Sequence, residues 1–372
     1  MIDTPFADEA YMAAALALGR RNLGRTALNP AVGALIVKDG VLIARGYTAV
    51  GGRPHAEAAA LAAAGEAARG ATLYVTLEPC SHNGATPPCA DAIMAAGVAR
   101  VVSAMEDPDS RVKGRGHARL REAGIEVAVG VCAAAARRDH LGHILRVTQG
   151  RPMVTLKLAQ TPDGFAAGAA HDPRLRITGP VADAYTHVQR ALHDAILVGA
   201  GTAREDDPLM TVRLPGMEQH KPLRVVLDSN LALSPRSRLA ATARETPTLV
   251  IVGREPTDQD IAAFSGATGI EIVRAGLDLL GRVDIEAALN LLARRGVTRV
   301  FCEGGPRLAQ NLVSRGLADE VILHTGAKPF GGAGRPALLP AAKALLDDGS
   351  IYRLVEEADL GADRLTRYER VA

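Results

Sequence analysis

Twice along this chain a series of short apolar runs alternates with longer helix-forming stretches. A chain patterned this way buries both kinds of element by layering helices on a sheet, so it is read as α/β. The first series opens at 31–38, Ala-Val-Gly-Ala-Leu-Ile-Val-Lys, which Asp39-Gly40 joins to the run beginning at Val41. Asp-Gly between two apolar runs is a tight-turn signal and predicts a β-hairpin. An Ala-rich helix is expected from Pro54 to about Arg69, with Pro54 in the first turn, where its missing N–H costs nothing. Strands near 73–77, 100–105 and 125–129 and helices near 89–96 and 116–122 complete the series. Residues 133–150 carry little strand character before Arg151-Pro152 introduces a new strand at 153–158. The boundary is therefore placed near residue 148, giving domains 1–147 and 148–372. The second series predicts strands near 195–198, 223–227, 248–252, 299–302 and 320–324, and helices near 180–192, 285–295 and 307–315.

Composition narrows the partners. The 372 residues are enough chain for two buried cores. Forty-three Lys and Arg against 41 Asp and Glu leave a net charge of +2, too balanced for the electrostatic footprint of a sequence-independent nucleic-acid binder. Aromatic residues are 3% and Trp is absent, which argues against stacking platforms for single strands. The apolar runs fall short of the roughly 18 residues a membrane helix needs, and the N-terminus, with Asp3, Asp8 and Glu9, lacks the pattern of a secretory signal. Cys80, Cys89, Cys132 and Cys302 are too few for a disulfide framework, so a reducing cytoplasm or metal binding is expected.

Chemistry concentrates first in His55-Ala56-Glu57, Glu78-Pro79-Cys80 and, after eight intervening residues, Cys89. An imidazole and two thiolates suit zinc, and three protein ligands leave a fourth tetrahedral position for water. Zinc lowers the pKa of such a water to about 7. Glu57, two residues from His55, is placed to take its proton and return it to a leaving amine. Both thiolates are expected to open helices, where the backbone dipole favours the deprotonated form. The generic zinc-deaminase signature is H-x-E followed by P-C-x-x-C, and this chain keeps H-x-E and P-C but widens the cysteine spacing. A structural zinc site closed by His82 as fourth ligand is the alternative.

The second concentration is Glu303-Gly304-Gly305-Pro306, which ends an apolar run and opens a helix. Bare backbone N–H groups at a helix start can hold a phosphate. A tight turn needing glycine torsions explains the same residues equally well. Gly199-Ala200-Gly201 comes close to a dinucleotide fingerprint but meets Arg204 where the last Gly belongs, and no ordinary dinucleotide fold is inferred from it.

Taken together, the stretch from Thr76 to Cys89, Asn29-Pro30-Ala31-Val32-Gly33, Pro54 to Glu57 and Asp107-Pro108-Asp109 resemble the deaminase half of the bifunctional riboflavin-biosynthesis deaminase/reductases, the RibD family. Leu156-Lys157-Leu158, Asp163-Gly164, Gly199 to Thr202, Asp206 to Pro208, Thr211 to Arg213, Asp228-Ser229 and Glu303 to Pro306 follow the order of its reductase half, so the resemblance runs almost end to end. It implies a cytidine-deaminase-like three-layer N-terminal domain, a dihydrofolate-reductase-like C-terminal domain, zinc and NADPH. His55, Cys80 and Cys89 would hold zinc and Glu57 would shuttle protons, with Asn29, His82 and Thr86 in the first substrate pocket. Ala159, Thr202, Asp206, Ser229, Gly305, Pro306, Arg307 and Asn311 would contact NADPH. Arg190, Met210, Arg213 and Glu303 would hold the phosphorylated sugar, the arginines by the planar fork that suits phosphate. Where family members often carry a basic residue the chain has Ala85, and where they often carry Ala-Ser-Leu it has Gln160-Thr161-Pro162, with Arg174 and Arg176 in the loop beyond.

The resemblance implies hydrolytic deamination of 2,5-diamino-6-(5-phosphoribosylamino)pyrimidin-4(3H)-one, then reduction of the ribosyl to a ribityl side chain. The implied partners are this small phosphorylated pyrimidine and further copies of the chain in a homo-oligomer, with neither nucleic acid nor membrane. Two other readings stay open: a deaminase of another base with a noncatalytic second domain, and a noncatalytic zinc scaffold.

Overall fold

The computed structural model describes residues 4–82, 87–169, 172, 175–264, 266 and 269–371, so Ala85, Thr86 and Arg174 lie outside the described residues. The chain forms two compact units, Met1–Arg151 and Pro152–Ala372. A helix, Leu141–Gln149, runs through the position expected as the boundary, and the division follows its end.

The first unit is built on five strands: β1 (Gly33–Lys38), β2 (Val41–Tyr47), β3 (Thr72–Val75), β4 (Arg100–Ser103) and β5 (Glu126–Val129). Their order is β2-β1-β3-β4-β5. The Asp-Gly hairpin pairs β1 with β2, β1 and β3 are also antiparallel, and β3, β4 and β5 run parallel. Period-two alternation sends successive side chains to opposite faces. Ala34, Ile36, Leu73, Val75 and Val101 join Ala56, Ala60, Ile93 and Leu120 in one core. Leu35, Val37, Tyr74 and Val102 pack with Met12, Ala15, Leu16 and Ala136 in another. Three helices, α2 (Ala56–Ala64), α3 (Cys89–Ala95) and α4 (Arg115–Glu122), thus cover one face, and α1 (Thr4–Gly19) and α5 (Ala133–Asp139) the other. The result is three layers. The expected helix from Pro54 is shorter than its Ala content implied. It begins at Ala56 with His55 extended as N-cap and stops at Gly65, whose φ of +54° ends the helical run.

In the second unit a nine-stranded sheet takes in β6 (Met153–Gln160), β8 (Ala195–Gly199), β9 (Leu223–Leu227), β10 (Thr248–Val252), β11 (Ile270–Arg274), β12 (Arg299–Cys302), β13 (Glu320–Thr325), β15 (Tyr352–Leu360) and β16 (Asp363–Arg370). Short β7 (Phe165–Ala167) and β14 (Arg335–Pro336) pair separately. The large sheet has the order β11-β10-β9-β8-β12-β6-β13-β16-β15, parallel except at the C-terminal hairpin. One face packs Leu156, Leu197, Val225, Ile251 and Val300 against the helices Ile285–Arg294, Pro306–Ser314 and Pro340–Asp347. The other packs Ile196, Val198, Val226 and Val250 against residues that include Ala203, Leu239 and Phe264. In an open parallel sheet, ligands bind beyond the carboxyl ends of the strands, and that edge carries most of the residues expected to contact cofactor and sugar. Among the described residues no helix is long and apolar enough to cross a membrane.

Candidate active sites

In the first unit the α2 N-terminus sets both His55 and Glu57. His55 is the N-cap and Glu57 lies in the first turn, 4% exposed. His55 Nδ1 is 3.8 Å from Cys80 Sγ and 3.4 Å from Cys89 Sγ, and the three ligand atoms lie within 4.8 Å of one another. Tetrahedral zinc with ordinary Zn–S and Zn–N lengths requires N to S separations of about 3.5 Å, so these residues fit the ion. His82 is not part of the group. Three protein ligands without a fourth is the open arrangement rather than the closed structural one.

Only one of the two cysteines opens a helix. Cys89 is the first residue of α3, whereas Cys80 lies on the loop after β3 and gains its support by accepting the Cys89 N–H, 3.3 Å from its Sγ. The Cys89 side chain, with help from His55 and against burial, holds the Cys80 thiol down at about 4, while Cys80 and burial push Cys89 up. Two thiolates this close need a cation between them, which is what a divalent metal provides. Burial first, then the Cys80 charge, raises the Glu57 carboxyl to about 7. Asn29 is brought against the loop that leads into His55. Gly52 has φ +90°, and a Cβ there would lie 2.3 Å from Asn29 Nδ2, so glycine is what permits this approach. The remaining pocket residue expected from sequence, Thr86, lies outside the described residues.

In the second unit Ala159 stands near the end of β6, Thr202 and Asp206 on the helix after β8, Ser229 just past β9, and Glu303 just past β12. All five lie at the carboxyl edge of parallel strands. Gly305 is the N-cap of the helix Pro306–Ser314, and a Cβ built on it would lie 3.6 Å from Thr202 Oγ1. Neither Gly304 nor Gly305 has a left-handed backbone, so torsion does not account for the pair. Bare amides at the start of that helix, beside Thr202, are suited to a phosphate. Asn311 lies on the same helix with its Oδ1 buried and unpartnered, and Arg307 is exposed. Ser229 Oγ accepts the Val283 N–H.

Arg190 and Glu303 come together with each other. Nε to Oε1 is 2.6 Å and Nη2 to Oε2 is 2.8 Å, a two-pronged pair that is largely buried. Arg190 Nη1 also donates to the Thr211 carbonyl, holding the loop on which Met210 is buried at φ +49°. Arg213 is exposed and bonds Thr211 Oγ1. Lys157, in β6, has no role in the motif Leu156-Lys157-Leu158 as read from sequence. Burial pushes its ammonium pKa down, with the charges of Glu303 and then Asp183 opposing and that of Arg190 adding to the shift. The available signal was a lone lysine inside the apolar run 153–158.

Comparison with known proteins agrees in both units. The family model for the cytidine and deoxycytidylate deaminase zinc-binding region matches residues 6–105, and that for the RibD C-terminal domain matches 152–355. The chain is 38% identical over 369 residues to the riboflavin biosynthesis protein RibD of Escherichia coli, covering 96% of this chain and 97% of the relative. It is 39% identical to the RibD of Aquifex aeolicus, covering 87% and 88%. Among solved structures, Acinetobacter baumannii RibD superposes with TM-score 0.85 at 32% identity over 99% of this chain and 100% of the other. The diaminohydroxyphosphoribosylaminopyrimidine deaminase/5-amino-6-(5-phosphoribosylamino)uracil reductase of Thermotoga maritima does so with TM-score 0.84 at 31% identity, again over 99% and 100%.

Proposed function

The chain belongs to the RibD family of bifunctional riboflavin-biosynthesis enzymes, and from that premise we propose the following division of labour. The first unit hydrolytically deaminates 2,5-diamino-6-(5-phosphoribosylamino)pyrimidin-4(3H)-one. The second then reduces the ribosyl side chain of the product to ribityl with NADPH. The observation that carries the proposal is the open three-ligand group of His55, Cys80 and Cys89 with the buried Glu57 beside it.

A zinc ion held by those three residues supplies the Lewis acidity that makes water nucleophilic near neutral pH. Glu57 takes the proton of the attacking water and delivers it to the departing amino nitrogen, one positioned carboxyl serving both steps. Its burial keeps bulk water from competing for that proton. Asn29 and His82 hold the pyrimidine, and Thr86 is assigned to the same pocket from sequence.

In the second unit NADPH supplies the hydride. Thr202, Gly305, Pro306, Arg307 and Asn311 hold the cofactor at the helix N-terminus, with Ala159, Asp206 and Ser229 along the neighbouring strand ends. Arg190 fixes the Glu303 carboxylate, which accepts hydrogen bonds from the sugar hydroxyls, and Arg213 meets the phosphate from the exposed side. Met210 packs under that loop, and Lys157 donates to a sugar oxygen. These groups chiefly orient the sugar, because orientation is the protein's main lever on hydride transfer. The use of Cys80 and Cys89 for zinc rather than for a disulfide supports a reducing cytoplasmic setting, and the family resemblance supports a homo-oligomer.

The test follows ammonia release and NADPH oxidation in one reaction started with the diaminopyrimidinone. Ammonia should appear first and NADPH oxidation should follow it. Ammonia with NADPH left unoxidised would remove the reductase assignment, and absence of both would remove the proposal.

A further inference from the structure

One buried carboxylate of the first unit has no part in the chemistry above. Glu78 precedes Cys80 by two residues, is 4% exposed, and its side chain accepts four backbone N–H bonds. Oε2 takes those of Asp107 (3.1 Å) and Gly114 (2.9 Å), and Oε1 those of Gly116 (2.8 Å) and His117 (3.2 Å). Its own N–H donates to the Met105 carbonyl at 3.0 Å. A carboxylate has about four lone-pair sites, and here all are in use. Glu78, Glu106 and His117 bring potential ligand atoms within 4.8 Å of one another, but Glu78 has no lone pair left for a cation, so the cluster is not a second metal site.

What the carboxylate does is join two distant pieces of chain. It sits at the N-terminus of α4, where unsatisfied N–H groups and the helix dipole both favour a negative charge. The joint is tight: a Cβ on Gly116 would lie 2.0 Å from the Pro79 carbonyl oxygen, so only glycine lets the start of α4 rest on Pro79. Pro79 is the residue between Glu78 and Cys80. From the other side the start of α3 holds Cys80, with Cys89 N–H on its Sγ and Ala90 N–H on its carbonyl at 3.2 Å. Cys80, the one ligand not placed by a helix of its own, is thereby fixed between two helix starts.

We propose that Glu78 is a positioning residue of the deaminase centre, clamping the segment 107–117 onto Pro79 so that Cys80 is held in place for the metal. The proposal rests on the reading of Cys80 as a zinc ligand. Replacing a partner that orients a metal ligand commonly costs on the order of 10- to 100-fold in metal affinity or activity. Glu78→Gln keeps the shape but turns an NH2 toward two of the four donors. In the full-length zinc enzyme, zinc release to a chelator should quicken about 10-fold or more, and amide exchange at Gly114, Gly116 and His117 should accelerate. A retained thermal transition of the first unit is the folding control, and NADPH oxidation on supplied deaminated intermediate should be unchanged. Val101→Ala, a core truncation chosen for comparable thermal loss, should leave zinc release at the wild-type rate. Gly116→Ala should quicken zinc release with the carboxylate intact, and it decides the matter if Glu78→Gln fails to fold. Wild-type zinc release in Glu78→Gln, whether or not amide protection is lost, or wild-type release in Gly116→Ala, overturns the clamp. A wild-type enzyme that holds zinc but frees no ammonia sinks the deaminase reading and leaves the clamp standing. One that holds no zinc sinks both.

Discussion

Glu57 shows how much a single side chain depends on where a helix begins. Because α2 starts at Ala56, His55 caps the helix from outside while Glu57 falls in its first turn, against the thiols. General acid/base catalysis by one positioned group contributes about 10²- to 10⁴-fold. Glu57→Gln, nearly isosteric and unable to carry the proton, is expected to lower ammonia release by that factor while metal analysis still finds one zinc per chain. Turnover near wild type with zinc retained would end its role as proton shuttle. That His55, Cys80 and Cys89 come together was legible because the chemistry of imidazole and thiolates needs only residue types and proximity. The clamp proposed beside Cys80 was not: its Glu78 carboxylate accepts from donors 29 to 39 residues away, at Asp107 through His117, and no local pattern encodes that distance. Arg190 and Glu303 each belong to the expected substrate contacts, but their pairing across 113 residues appears only once the helix Pro180–Ala191 lies beside the end of β12.

At the scale of elements, β13 illustrates a different dependence. Its His324 is 0% exposed, neither ring nitrogen has a partner, and Tyr185 meets its ring edge-on at 5.6 Å between centroids. Burial first, then Lys157, pushes the imidazole down to about 3 from 6.5, with Glu303 opposing. The folded value lies below the unfolded one, so the neutral ring's contribution is whole above about pH 6.5 and is lost as pH falls toward 3. Between pH 7 and pH 5 that linkage amounts to about 2 kcal/mol. Denaturant unfolding of the wild type should therefore weaken by about that much more over this interval than unfolding of His324→Phe. Equal pH dependence in the two proteins would show that His324 is not buried as a neutral ring. The parallel strands of this sheet were legible as unbroken apolar runs because both their faces are covered. Its C-terminal hairpin was not, since β15 interleaves its apolar residues with Arg353, Glu356, Glu357 and Asp359 without a regular period and is mostly exposed, and five of the eight residues of β16 are charged. β11, half exposed at the opposite edge, hides for the same reason.

For the molecule as a whole, the consequence of two separate sheets, each with its own cores, is two separately stabilised units. The first has a core on each face of five strands and the second on each face of nine, and each unit is within the size that folds alone. A ligand that binds one folded unit stabilises that unit by mass action, by about 4 kcal/mol when present at a thousand times its Kd. Zinc should accordingly act on the first unit and not on the second. Calorimetry with and without a chelator is expected to show the transition of the first unit falling by roughly 10 °C on metal removal, given a few degrees per kcal/mol at this size, while the transition of the second stays in place. The metal-stripped protein should still oxidise NADPH when the deaminated intermediate is supplied. If both transitions fall together, or reduction is lost along with zinc, then the two units share a folding equilibrium and the independence read from their cores is wrong.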